Sequence, residues 1–156
     1  MYGTLFLVGA MAAARAGERA EATRYLARAG HAAQLLGHDG NHMWTAFGPT
    51  AVRMHAVSTA LEFGDADTAL AQGCRLDVSA LPIERRVRHK LDLARAHDAR
   101  GHRADALALI LDAEELAPEH VRSHYITRPL VTSWVRTTRG ALDSALAGLV
   151  TRLRIA

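Results

Sequence analysis

The stretch LARAHDARGHRADALALILDAEELAP, residues 93 to 118, places a lone Gly101 between two alanine-rich segments and ends on Pro118. Ala and Leu are strong helix formers, whereas Gly readily takes the left-handed conformation that ends a helix. The stretch therefore predicts two helices joined by a short turn at Gly101. A helical pair of this kind is a packing unit, and arrays of such units form extended binding surfaces.

Two more glycines, Gly17 and Gly64, stand in the same setting, each between helix-like segments and before a polar residue. A small or slender residue follows each of the three glycines by five positions, and another precedes it by seven. These residues are Ala22, Ala69, Ala106, Ala10, Val57 and Ala94. Two helices approach closely near a turn only where both carry short side chains. The pattern predicts three helical pairs with close crossings.

The composition favours an all-α fold in one domain. A chain of 156 residues can bury a core without metal or disulfide support. Hydrophobic residues make up 49% but aromatic residues only 5%, so the core must consist mainly of Ala, Leu and Val, which suits packed helices. The net charge of +3 gives no ground for nucleic-acid binding. Cys74 is the only cysteine, which excludes an internal disulfide and a cysteine-rich zinc site.

The N-terminal run MYGTLFLVGAMAAARAG is apolar enough to need a check against targeting segments. No basic residue precedes it and Arg15 follows it, which is the reverse of a secretory signal peptide. The run is also too short to span a bilayer. We therefore expect a structural helix in a cytoplasmic protein that has no membrane partner.

The segment from Val87 to Glu119 resembles a tetratricopeptide repeat, a helical pair with small residues at its crossing and a terminal proline. The matching positions are Leu93, Ala94, His97, Gly101, Ala106, Ile110, Ala113 and Pro118, with His97 in place of the usual aromatic residue. The resemblance implies an α-solenoid of about three helical pairs, two of them divergent, followed by C-terminal capping helices. It also implies a concave binding surface and a single domain over residues 1–156.

A second resemblance covers the chain from about Trp44 to Val135. It runs through FGPTAVRMHAVSTALEFGDADTAL, DVSALPIERRVRHKLDLARAHDARG and DAEELAPEHVRSHYITRPLV. These segments are similar to the C-terminal half of XRE-type helix-turn-helix regulators from GC-rich bacteria. In that family an N-terminal domain binds DNA, and the tetratricopeptide-like half is presumed to sense a ligand or a partner. Because the repeat pattern already occupies residues 2 to 37, we expect a sensor domain, excised or stand-alone, without direct nucleic-acid binding.

Proline, glycine and leucine patterns predict further helix boundaries. Gly48-Pro49-Thr50 predicts the start of a helix after the connection at residues 37 to 50. EHVRSHYITRPLVTSWVRTTRG predicts one helix that is interrupted or kinked near Pro129. The last segment predicts a capping helix whose apolar face carries Leu142, Leu146, Leu149 and Leu153. Asp65 is a candidate N-cap of the helix that it precedes.

The inward-facing positions of such repeats supply a binding-site hypothesis. Its residues are Met11, Trp44, Phe47, Met54, His55, Ser58, Arg88, Arg95 and Asp98. They would form a pocket with methionine and aromatic walls and arginines for an anionic group of a small molecule or peptide. The alternative for Trp44 and Phe47 is that they fill the core between the first two pairs.

Nine histidines raise the question of metal or acid-base chemistry. His38 and His42 straddle a turn, and the sequence around His120 and His124 offers no third ligand, although a zinc site needs three or four. No GxSxG or HExxH motif occurs. We therefore expect no catalytic residue, no metal and no cofactor.

Two classes of function remain. The first is a sensor or scaffold domain that binds a small molecule, a peptide or a protein and could form a homodimer. The second is a repeat protein recruited as a small enzyme or carrier, with histidines such as His55, His89 or His97 converging in the groove with arginines.

Overall fold

The computed structural model of the chain describes residues 2–41 and 46–155, and 75% of these residues are helical. Over these two ranges the chain forms nine α-helices and no strand, which confirms the all-α class. The helices are α1 Tyr2–Arg15, α2 Arg19–Leu36, α3 Pro49–Glu62, α4 Ala66–Gly73, α5 Ile83–Ala99, α6 Arg103–Leu116, α7 Pro118–Ser123, α8 Thr127–Thr137 and α9 Ser144–Leu153.

The chain, which its length predicts to be one domain, divides into two compact units. The N-terminal unit, Met1–Pro82, contains α1 to α4, and the C-terminal unit, Ile83–Ala156, contains α5 to α9. Within the N-terminal unit, α3 packs against both α1 and α2. Within the C-terminal unit, α7 packs against α5, α6 and α8.

The same turn closes three helical hairpins, α1/α2, α3/α4 and α5/α6. Gly17, Gly64 and Gly101 have φ angles of 79°, 73° and 77°, in the left-handed region that glycine occupies without strain. The amide after each glycine donates to the carbonyl five residues earlier at 2.9 Å, and the glycine amide donates to the carbonyl three residues earlier at 2.8 to 3.0 Å. This pair of bonds is the Schellman motif, so the predicted turns are confirmed at all three positions.

The predicted close crossings are also confirmed. All six small residues at the crossings are fully buried: Ala10, Ala22, Val57, Ala69, Ala94 and Ala106. Short side chains at these positions let the two backbones of each hairpin approach near its turn.

The predicted helix starts at Pro49 and Ala66 are confirmed. The Asp65 carboxylate accepts from the Thr68 amide at 3.0 Å, and this backbone bond lowers the pKa of Asp65 below its ordinary value. The N-cap residue of α3 is Gly48, which has no side chain to bond the free amides of the first turn. The Asp39 carboxylate, eleven residues before Thr50, takes that role: it accepts from the Thr50 amide at 3.0 Å and from the Thr50 hydroxyl at 2.6 Å. A Cβ on Gly48 would overlap Asp39, so glycine is needed there for the close approach.

Phe47 lies in the core of the N-terminal unit. It is buried together with Leu7 of α1, Ala29 and Ala33 of α2, and Ala51 of α3. Its ring lies against Gly3 in the first turn of α1, where a Cβ would overlap the ring at its Cζ atom. Phe47 thus occupies a packing position, whereas Trp44 lies outside the described residues.

The C-terminal unit has an extended core of its own, to which α5, α6, α8 and α9 all contribute. Its fully buried large side chains include Trp134, Leu91, Ile110, Leu146 and Leu149. The predicted face of α9 is confirmed for Leu146, Leu149 and Leu153, which are buried, while Leu142 precedes the helix and is half-buried.

The predicted position of the helix break was wrong. The chain leaves the helix at His124, where α7 ends, and α8 begins at Thr127, so Pro129 lies in the first turn of α8. Proline is tolerated there because an amide in the first turn has no carbonyl partner within the helix.

A buried carboxylate ties α9 to α6. Glu114 is 7% exposed, and both of its oxygens accept from Arg152 at 2.8 to 3.0 Å, with Arg122 at 3.5 Å. The Arg152 guanidinium holds the pKa of Glu114 below its ordinary value, although burial acts in the opposite direction. Charge-assisted bonds of this kind are stronger than neutral ones.

Gly3→Ala is expected to lower the free energy of unfolding by about 1–3 kcal/mol, because the new methyl group overlaps the Phe47 ring. Chemical denaturation monitored by circular dichroism measures this change. Gly30→Ala is the matched control, since a Cβ on Gly30 meets no atom within 4 Å and alanine favours the helix by up to about 1 kcal/mol. Equal changes in the free energy of unfolding for the two substitutions would contradict the close contact between Gly3 and the Phe47 ring.

Glu114→Gln is expected to cost about 1–2 kcal/mol at neutral pH, since it weakens the bonds to Arg152, whose side chain is partly exposed. Because the pKa of Glu114 is lowered in the folded state, its contribution is present above about pH 4.5 and is lost as the pH falls further. Denaturation midpoints measured from pH 7 to pH 3 should therefore converge for the wild type and the variant. Glu115→Gln, at the exposed neighbouring position, should change little at any pH.

Candidate functional site

The predicted pocket residues of the N-terminal unit lie mainly in packing positions. Met54 is 5% exposed, and Met11 is half-buried with its sulfur 3.6 Å from the Thr59 hydroxyl of α3. Met11 therefore contributes to the contact between α1 and α3, and Met54 is part of the buried side of α3. Methionine suits such a role because its flexible side chain fills irregular gaps.

His55 and Ser58 are half-buried on α3 and bond to their own helix. The Nδ1 atom of His55 lies 2.8 Å from the Ala51 carbonyl, and the Ser58 hydroxyl donates to the Met54 carbonyl at 3.2 Å. Both groups thus bond to carbonyls one turn earlier. Their role in ligand binding stays a prediction.

Arg88, expected to receive an anionic group, lies beside two groups of its own unit. Its Nε donates to both oxygens of Asp92 at 3.2 Å, and its guanidinium lies 5.4 Å from the centre of the Tyr125 ring. Asp92 is 2% exposed, so Arg88 provides a counter-charge for a buried carboxylate. An external anion would compete with that pairing.

Asp98 has a structural partner as well. Its carboxylate accepts from the Nε1 atom of Trp134 at 2.5 Å, and Trp134 is only 2% exposed. A buried indole N–H needs an acceptor, because leaving it unpaired costs the desolvation of that group. Asp98 therefore orients the largest side chain in the core of the C-terminal unit.

One further predicted pocket residue and two histidines of the enzyme alternative lie along α5. Arg95 and His97 are half-buried and His89 is buried. His89 and His97 are eight residues apart on one helix, which corresponds to about 12 Å along the axis. These two histidines do not converge in one site, which removes part of the basis for the enzyme alternative.

The structure brings together the histidine pair at the C-terminal end of α7, with His120 in the helix and His124 at its C-cap. The rings of His120 and His124 are 5.6 Å apart, and among the described residues no third metal ligand joins them. Burial and the nearby charges of Arg88 and His120 lower the pKa of His124. His42 of the other pair lies outside the described residues.

A surface that sequence reasoning missed lies on the outer face of α2. It is an open depression of about 570 Å³. Its lining residues are Phe6, Arg24, Ala27, Arg28, His31, Ala32 and Leu35. We call it the α2 face.

The α2 face combines an apolar floor with basic side chains. Leu35 is 77% exposed and lies in the same depression as the half-buried ring of Phe6. Arg28 lies 5.7 Å from the centre of the Phe6 ring, and Arg24 pairs with Glu21 at 2.6 Å. Of the two arginines, Arg28 is the one for which no carboxylate partner is found among the described residues.

Helix α1 in the same unit also exposes apolar side chains. Tyr2, Leu5 and Val8 are 80%, 61% and 61% exposed and follow one another at intervals of three residues. The sequence signal for these residues was the apolar N-terminal run, which was predicted to form a structural helix but not an exposed apolar surface. Contiguous exposed apolar patches mark interaction sites more often than single exposed residues do.

A second depression, of about 530 Å³, lies on α8 and is more polar. It is lined by Arg128, Pro129, Thr132, Ser133, Arg136 and Thr137. Arg128 is engaged there, because it donates to the carbonyls of Leu153 and Arg154 at 2.8 and 3.0 Å at the end of α9. Arg128 therefore has a structural role, because a cation near the end of a helix bonds to carbonyls that have no partner within the helix.

No protein-family model, curated protein or solved structure matches the chain. The likenesses to tetratricopeptide repeats and to XRE-type regulators therefore stay predictions from the residues. Within the described part of the chain, no helix combines the length and apolar character needed to cross a bilayer.

Asp98→Ala is expected to lower the free energy of unfolding by about 1.5–3 kcal/mol, because it leaves the Trp134 N–H buried without its acceptor. Asp98→Asn keeps an acceptor oxygen and should cost about 1 kcal/mol or less. Urea denaturation followed by far-ultraviolet circular dichroism compares the two variants. If both variants were as stable as the wild type, the structural role of Asp98 would be excluded.

Proposed function

We propose that the chain is a helical-repeat binding domain, of the kind that the resemblance to regulator sensor domains implies, and that it binds a partner protein through the α2 face. The proposal includes the stacking of the three hairpins as tetratricopeptide-like repeats. Binding on a concave face by the pocket residues predicted from sequence remains a separate possibility.

The observation that carries the proposal is one depression in which the exposed Leu35 and Arg28 of α2 lie with the half-buried ring of Phe6 of α1, and Arg28 has no carboxylate partner among the described residues. An apolar floor with a basic rim is complementary to an amphipathic helix whose apolar residues are flanked by Asp or Glu. We therefore take an acidic amphipathic helix as the occupant.

The dimensions of the α2 face agree with that occupant. Its lining residues on α2 run from Arg24 to Leu35, which is three turns or about 16 Å of helix. A partner helix that contacts such a surface uses side chains at intervals of three and four residues. The area is small compared with stable protein interfaces, so we expect an affinity in the micromolar range, about −8 kcal/mol.

An enzymatic function has less support among the described residues. Arg88 and Asp98 are engaged by partners within the C-terminal unit, and His55 and Ser58 bond to their own helix. A catalytic group must be able to reach a substrate, and these groups are committed to packing and to backbone bonds.

Selection of helical peptides from a display library against the whole chain tests the proposal. Enriched peptides are expected to be amphipathic and acidic, and Arg28→Glu should weaken their binding at least tenfold, because it replaces attraction with repulsion. Leu35→Asp should weaken binding by a similar factor, because it places a carboxylate in the apolar floor that contacts the partner helix.

Arg53→Glu is the matched control, since Arg53 is an exposed arginine on α3 of the same unit and carries the same charge change. Two outcomes would overturn the proposal: the absence of enriched acidic helices, or peptides that bind the Arg28→Glu and Arg53→Glu variants equally well.

A further inference from the structure

The three hairpin turns share a backbone but not their side chains. Three positions can be compared in each turn. The first is the residue four positions before the glycine, whose carbonyl accepts the 2.9 Å bond, and the second is the residue after the glycine, whose amide donates it. The third lies in the first turn of the second helix. The three sets are Ala13, Glu18 and Glu21; Ala60, Asp65 and Thr68; and His97, His102 and Asp105. The third turn therefore carries two imidazoles and a carboxylate where the others carry alanine and capping or hydrophilic residues.

The Schellman turn at Gly101 brings these three side chains together. One ligand atom from each of His97, His102 and Asp105 lies within 4.8 Å of the others. The two rings are 5.9 Å apart, and Nδ1 of His97 is 3.8 Å from a carboxylate oxygen of Asp105. These are the two positions whose side chains meet across a Schellman turn, and in the other two hairpins they hold an alanine and an acidic residue.

Two of the groups are not used by the surrounding structure. Nδ1 of His97 is shielded from solvent and has no hydrogen-bond partner among the described residues. His102 is the N-cap of α6, but its side chain makes no capping bond, whereas Asp65 caps α4 at the equivalent position. A capping position usually holds Ser, Thr, Asp or Asn, because their oxygens bond the free amides of the first turn.

We propose that His97, His102 and Asp105 bind a divalent transition-metal ion, with Zn²⁺ as the best match. Two neutral imidazoles and a carboxylate are ligands that zinc prefers, and water or a further ligand can occupy the fourth position. Tetrahedral zinc holds its ligand atoms about 3.3 Å apart, given metal–ligand distances of about 2.0–2.1 Å. The exposed side chains of His102 and Asp105 can close the remaining gap by rotation.

The site connects the end of α5 to the start of α6, so bound metal stabilises the α5/α6 hairpin. A ligand that binds the folded state but not the unfolded chain raises the stability in proportion to the logarithm of its concentration. The site differs from the α2 face in location and chemistry, and it does not depend on the function proposed for that surface.

Isothermal titration of the untagged full chain with ZnCl₂ tests the site, with Co²⁺ absorption as a report on the ligand set. We expect one metal ion per chain and a higher melting temperature in its presence. His102→Ser should lower the affinity more than about tenfold, since loss of even an indirect metal partner costs 10–100-fold. Serine is a good N-cap, so this variant should fold at least as well as the wild type.

Asp105→Asn should also weaken binding. Two control variants should leave the affinity unchanged: His31→Ala, at an exposed histidine on α2, and His120→Ala. The proposal is overturned if Zn²⁺ binds the His102→Ser variant as tightly as the wild type. It is equally overturned if His120→Ala abolishes binding, which would place the metal at the α7 pair, or if the wild type does not bind.

Discussion

The three helical hairpins α1/α2, α3/α4 and α5/α6 all depend on a backbone constraint at their turns. Glycine takes a positive φ, and two amides then bond back to carbonyls at the end of the first helix. This geometry sets the angle at which the second helix leaves, and the fully buried alanines at the crossing, such as Ala22 and Ala106, allow that angle without a clash. A Cβ at Gly101 would find open space, so the requirement for glycine is conformational and not steric crowding.

Beyond the hairpins, the C-terminal unit is held by polar contacts inside a largely apolar core. Asp98 accepts from Trp134, and Glu114 accepts from Arg152, so two carboxylates connect α5 to α8 and α6 to α9. Such contacts orient helices that aliphatic packing alone would leave free to slide. They also explain why charged residues on the inward positions of these helices do not by themselves indicate a ligand site.

The two candidate binding surfaces lie away from these contacts. The α2 face presents Leu35 and Arg28 to solvent, and the Gly101 turn presents His102 and Asp105. In both places the backbone is regular and the side chains are not needed to maintain it. Residues with that freedom are the ones through which a repeat domain acquires binding specificity without loss of its fold.

The residues along the chain were sufficient to predict the all-α class, the three turns, their buried small residues, the Asp65 cap and most of the apolar face of α9. These features depend on local conformational preference and on helical periodicity, which adjacent residues determine. The break before α8 was misplaced because proline acts differently in a first turn than in a helix interior. Arg88 and Asp92 pair at a spacing of four residues within α5, and His97 meets His102 through the local geometry of the Gly101 turn, so both of these contacts are local. The bond of Asp98 to Trp134, the contact of Arg88 with Tyr125 and the exposed floor around Leu35 were decided only by tertiary structure, because they depend on which faces of separate helices come together.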